Sequence, residues 1–185
     1  MKKTVLSIMI LMGITSPMVA EELHLFPTQA TQEISKGIAL IWGSEELNQD
    51  KSYSGDIVGV ELSMPCRLLQ GKQRPIRQQI SLSRYDHHDK LITLGMNPHY
   101  IFQFTDQFQL GVGPSFEISY VDSDNTSKDT LMGVGVSGSL EKEFTNHIFF
   151  GMELGYTWLN DSDFQNFKAI GKIGYRIDNW NQLFK

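Results

Sequence analysis

Cysteine is nearly absent from this chain: Cys66 stands alone among 185 residues. A single cysteine excludes an intramolecular disulfide framework and any zinc site built from several thiolates. Basic charge is also short, with 16 Lys and Arg against 21 Asp and Glu. A net charge of −5 argues against a nucleic-acid binder, which carries a basic patch or stripe. Long apolar runs are missing beyond residue 20. The longest uncharged stretch there, Leu91 to Thr105, has fifteen residues and includes Asn97, Pro98, His99 and Gln103. A membrane-spanning helix needs about 20 mostly apolar residues. What is present is the 41% hydrophobic content of an ordinary folded domain, too apolar for a disordered chain.

Residues 1–20 have the layout of a bacterial secretory signal peptide. Lys2 and Lys3 form the positive start, Val5 to Ile14 the apolar core, and Ala20 the small residue before Glu21. Met18 occupies the −3 position, where a small residue is usual. No cysteine follows, so a lipoprotein anchor is excluded. Without this segment the chain carries 14 basic and 21 acidic residues, net −7. Residues 21–35 contain Pro27 and little alternation, and read as a periplasmic extension or a short plug entering a lumen.

An exported chain with no spanning helix enters a bilayer only as a closed β-barrel, which also satisfies its backbone polar groups internally. The remaining sequence has the period of two that this requires. From His147 to Leu159, Ile148, Phe150, Met152, Leu154, Tyr156 and Trp158 alternate with His147, Phe149, Gly151, Glu153, Gly155 and Thr157. The same pattern runs through Gln107–Tyr120 and Thr130–Lys142, and more weakly through Lys36–Gly43, Ile57–Leu68, Ile76–Tyr85, Lys90–Phe102 and Phe167–Ile177. These are eight predicted strands, and the smallest bacterial outer-membrane barrels have eight.

With both ends of the barrel segment in the periplasm, the outer connections are Ser44–Ser54, Asp86–Asp89, Val121–Asp129 and Asn160–Asp163. The inner ones are Leu69–Pro75, Gln103–Asp106 and Glu143–Asn146. Aromatics gather at predicted strand ends, Trp42, Tyr120 and Trp158 outside and Phe102, Phe108 and Phe144 inside. Two interfacial girdles place them there. A soluble periplasmic lipid-binding barrel has the same alternation. Terminal aromatics, a polar face rich in Gly, Ser and charge, and an expectation that the longest loops lie on one side favour the membrane form.

The segments LGVGPSFEISY (Leu110–Tyr120) and FFGMELGYTWL (Phe149–Leu159) resemble the small outer-membrane β-barrel proteins of the outer-membrane-protein-A, X and opacity type. The resemblance covers Lys36 to Ile177 and rests on pattern. It implies an all-β, eight-stranded antiparallel up-and-down transmembrane barrel over 36–177, with a tail at 178–185. It also implies residence in the outer membrane of a Gram-negative envelope, contact with lipid and lipopolysaccharide, insertion by the barrel-assembly machinery, and a monomer. Members normally end the last strand with a terminal aromatic; here Lys172–Ile177 is followed by Asp178–Lys185, with Phe184 one residue short of the end.

The polar faces supply the candidate site. Glu61, Glu117, Glu141 and Glu153 share the interior with Arg67, Arg77, Lys168, Lys172 and Arg176. Charges in a narrow lumen must pair, because an isolated buried charge is expensive. The expectation is an ion-pair network that plugs the barrel, with Glu153 meeting Lys168 or Lys172. Lipid A-modifying acyl hydrolases and transferases are the enzymatic alternative on this scaffold. The His-x-Ser-Asn pattern of the lipid A deacylase type is not met by Gly155-Tyr156-Thr157-Trp158-Leu159-Asn160, so no catalytic residue is assigned and no enzyme is expected. His87 and His88, between Asp86 and Asp89, read as solvated loop residues, and no metal or cofactor is expected. The acidic runs Asp122–Asn125 and Asn160–Asp163 do not match a calcium loop. Cys66 falls on an apolar face and behaves as a small hydrophobe.

Overall fold

Isolated two-faced strands bury neither their polar backbone edges nor one of their faces, and closing the sheet on itself solves both problems. The chain does this. The computed structural model describes residues 28–29, 34–48, 52–66, 75–86, 90–105, 107–122, 129–144, 147–160 and 165–177. Its strands are β1 (Thr28–Gln29), β2 (Lys36–Asn48), β3 (Ser52–Pro65), β4 (Ile76–Asp86), β5 (Lys90–Gln103), β6 (Phe108–Asp122), β7 (Asp129–Glu143), β8 (Ile148–Leu159) and β9 (Gln165–Ile177). From β2 to β9 each strand pairs antiparallel with the next. Strand β2 also pairs with β9, from Lys36↔Ile177 to Asn48↔Gln165, which closes an eight-stranded barrel.

The apolar faces point outward. Val58 is 62% exposed and Leu40 61%, with Val134, Val136, Leu154 and Met132 exposed to similar degrees. The charged faces point inward, where Glu61, Glu141, Lys172 and Arg77 are buried. The molecule is therefore an inverted globule, polar inside and apolar on its wall, as a lipid-facing barrel must be.

Strand bounds correct the sequence reading in one region. The expected outer connection Ser44–Ser54 is mostly strand: β2 continues to Asn48 and β3 starts at Ser52, leaving residues 49–51 to connect them. Ser44 and Glu46 face out and Glu45 faces in, so period two persists where both faces are polar. Strand β3 ends at Pro65 rather than Leu68, so the longest connection within the barrel, residues 66–75, lies at the end that holds the start of β2 and the end of β9. That end is called the terminal end below, and the opposite one the far end. The longest connections thus do not all lie on one side.

Two features sit at the terminal end. Strand β1 pairs with β5 at Thr28↔Gln103 and Gln29↔Phe102. The neighbouring β4 begins opposite Tyr100, so that edge of β5 is free to take β1. The stretch before β2 therefore extends the wall at these two residues. Between β7 and β8, the Phe144 N–H donates to the Ile148 carbonyl and the His147 N–H to the Phe144 carbonyl. His147 takes φ of 61°, the left-handed region. The expected signal peptide at 1–20 and the tail at 178–185 lie outside the described residues.

Candidate functional site

Alternation along eight strands aims a ring of side chains at the barrel axis, and the tilt of the strands stacks these rings in layers. Closest to the far end is an apolar layer of Tyr85, Leu91 and Leu159, with Leu131 packed against it. Below it, Lys168 Nζ lies 2.7 Å from Glu117 Oε2 and 3.5 Å from Glu45 Oε1. Asn166 Nδ2 donates to Glu45, and more weakly to Glu117 at 3.4 Å. On β6, two residues nearer the far end than Glu117, Ser119 forms a hydroxyl pair with Thr93 at 2.8 Å.

The central layer turns on Lys172. Its ammonium lies 2.7 Å from Glu61 Oε2 and 2.7 Å from Glu153 Oε2. Asn97 Nδ2 donates to Glu153 at 2.8 Å. Gln79 Nε2 donates to both Glu61 and Glu141, each at 3.3 Å. Toward the terminal end, Glu141 accepts from Arg77 and from Arg176. Arg77 also donates to Gln109, and Arg176 to Ser63 Oγ at 3.2 Å. The Arg176 guanidinium lies 3.9 Å from the centroid of the Phe149 ring, which is fully buried. The apolar layer at the far end and the buried Phe149 ring toward the terminal end thus flank an interior of interlocked charge.

Removing a charge from water costs several kcal/mol, recovered only by close and multiple partners. Here each of the central carboxylates has two or more partners. This arrangement ties the strands to one another across the axis.

The structure brings Glu61, Arg77, Glu117, Glu141, Glu153, Lys168, Lys172 and Arg176 into the interior. Glu153 meets Lys172, whereas Lys168 is engaged by Glu117 and Glu45. Arg67 lies outside the described residues, as do His87 and His88. Glu45 joins the site although the sequence reading left it in a loop. The missed signal was its odd-numbered position in phase with Ala39 and Ile41. Gln79 and Asn97 were on the correct face, but nothing in their residue type singled them out.

His99 is also interior and fully buried. Its Nε2 lies 2.7 Å from Ser137 Oγ and its Nδ1 3.0 Å from Ser139 Oγ. Both ring nitrogens face serine hydroxyls, so no carboxylate orients the ring as a catalytic triad requires. Thr157, in the stretch compared with acyl hydrolases, is inward and buried.

Of the aromatics, Tyr120 and Trp158 stand near the far ends of β6 and β8. Phe102, Phe108 and Phe144 stand at the terminal end of β5, β6 and β7. Trp42 departs from expectation. It lies mid-strand because β2 runs on to Asn48, and its indole covers Gly171 on β9. Cys66, expected on an apolar face, is buried just past β3, its N–H donating to the Ile76 carbonyl at 2.9 Å.

No protein-family model and no curated protein matches the chain. Among solved structures it is similar to Neisserial surface protein A, with a TM-score of 0.60 and 14% identity, over 77% of this chain and 97% of that one. It is also similar to Ail, the attachment invasion locus protein of Yersinia pestis, with a TM-score of 0.57 and 9% identity, over 79% of this chain and all of that one. Ail in complex with the heparin analogue sucrose octasulfate gives a TM-score of 0.52 at 10% identity. The fold is that of the small outer-membrane barrels. These barrels and the present chain share the architecture.

Proposed function

We propose that the chain spans the outer membrane of a Gram-negative envelope as a closed, non-conducting barrel with a structural or surface-contact role. The observation that carries this reading is the inversion of the molecule. Apolar side chains cover the wall while five carboxylates and four cationic groups are buried inside. Only a hydrocarbon surround makes an exposed belt of Val, Leu, Ile and Phe favourable.

In this reading the terminal end faces the periplasm and the far end the exterior. Lipid and lipopolysaccharide surround the wall, and a monomer suffices because the barrel has no free edge within 36–177. The barrel-assembly machinery inserts it. Surface contact falls to residues 123–128 and 160–164, the longer connections at the far end. The non-enzymatic reading is supported by His99, whose two nitrogens are committed to structural serines.

Planar-bilayer recording of the refolded protein tests the plug. The expected result is no steady conductance, since the charged layers and the apolar layer at the far end lie across the axial path. Large, steady openings in the unmodified protein would overturn the closed-lumen reading. A protein recovered soluble from the periplasm, with no heat-dependent gel shift, would overturn the membrane reading.

A further inference from the structure

Seven of the eight ladders that close the barrel are continuous over their paired lengths; the one between β5 and β6 is broken. Pairing runs from Lys90↔Asp122 to Met96↔Phe116, then resumes at Tyr100↔Val112 in the same register. No residue is inserted, so the gap is not a bulge. Its centre sets Pro98 opposite Pro114.

In an antiparallel pair alternate residues address opposite neighbours. Even-numbered residues of this stretch address β6, since the Phe104 N–H donates to the Phe108 carbonyl, while the Ile101 N–H goes to Pro75 on the other side. Pro98 therefore occupies a hydrogen-bonded pair, and neither proline has an N–H to give. Both bonds of the pair are absent. Proline is normally kept out of interior strands for this reason, and hydrocarbon offers no water to replace the lost donors.

The interior side of the gap is equally distinctive. Strand β6 turns Gly111, Gly113 and Ser115 inward there, so the β6 side chain beside the prolines is no larger than the hydroxymethyl of Ser115. The ring of His99 lies over Gly111, where an added Cβ would strike His99 and Ser139. By crossing β6, His99 ties β5 to Ser137 and Ser139 on β7. That tie joins β5 to the strand beyond β6 and so spans the stretch where β5 and β6 lack their own backbone bonds.

We propose that the β5–β6 seam is a lateral opening in the barrel wall, latched from the interior by His99, and that its parting exposes the Ser115 and Asn97 layer to the bilayer. The proposal rests on the membrane-spanning reading above. In liposomes, a Cys66→Ala background carrying Ser115→Cys is exposed to a bilayer-dissolved pyrene maleimide. Ser119→Cys is the reference, because Ser119 is buried to the same degree on the same strand but beside intact pairing. Labelling at position 115 is expected to be about tenfold faster than at 119, reflecting a lower local opening free energy. Adding His99→Ala should accelerate it further, and Pro98→Val with Pro114→Val should bring it down to the reference rate. If Ser115→Cys does not fold, Asn97→Cys read against Thr93→Cys gives the same comparison. Equal rates at the two positions, or indifference to proline replacement, would overturn the opening while leaving an inserted barrel. Failure to insert into liposomes at all would sink both readings together.

Discussion

Lys172 shows how much of the interior depends on single side chains. It is 1% exposed and within salt-bridge distance of Glu61, Glu153 and Glu141, on three other strands. Lys172→Ala leaves these carboxylates with one fewer cation in a dry space, and breaking a buried pair from one side costs about 3–5 kcal/mol. Urea unfolding of the protein in detergent should register that loss; a change below about 1 kcal/mol would mean the layer is well hydrated and the charges are not the support they resemble. At this scale the sequence showed which residues face the axis, because period two assigns faces. It did not show which carboxylate meets which cation. Partners such as Glu61 and Lys172 are joined across β2, and Arg77 and Glu141 across the lumen, so their meeting depends on tilt and closure.

Among the elements, the strands with one wholly apolar face were legible almost to the residue. Strand β8 was expected at His147–Leu159 and spans Ile148–Leu159. Strand β2 extends past the sequence expectation because Ser44, Glu45, Glu46 and Asn48 carry no apolar contrast, and their pairing with both β3 and β9 shows that they remain in the sheet. The apolar layer at the far end is not legible for the converse reason: Tyr85, Leu91 and Leu159 lie on the polar phase of their strands and read as exceptions to the pattern. The β7–β8 connection carries its own test. His147 holds φ of 61° beside Tyr175, with ring centroids 5.9 Å apart. A β-branched residue there meets the left-handed penalty, so His147→Val should lose about 1–2 kcal/mol, whereas His147→Asn should be tolerated. The urea midpoints of the two variants, compared side by side, decide it.

For the whole molecule, the direction of the wall is the property that matters. Val136 is outward, 55% exposed, and midway along β7. In a bilayer an arginine at such a depth costs about 2–4 kcal/mol, falling toward zero near the interfaces. Val136→Arg should therefore destabilise the liposome-folded protein by that amount; an unchanged stability would place the wall in water. Closure has a separate consequence for biogenesis. Lys36 on the first barrel strand bonds with Ile177 on the last. No shorter nascent fragment can shut the ring, and contacts this remote in the chain are slow to form. Until the final residues arrive, the polypeptide must travel as an unsealed ribbon with two bare margins and a greasy side. A ribbon of that kind invites edge-to-edge pairing with other chains until its two margins meet.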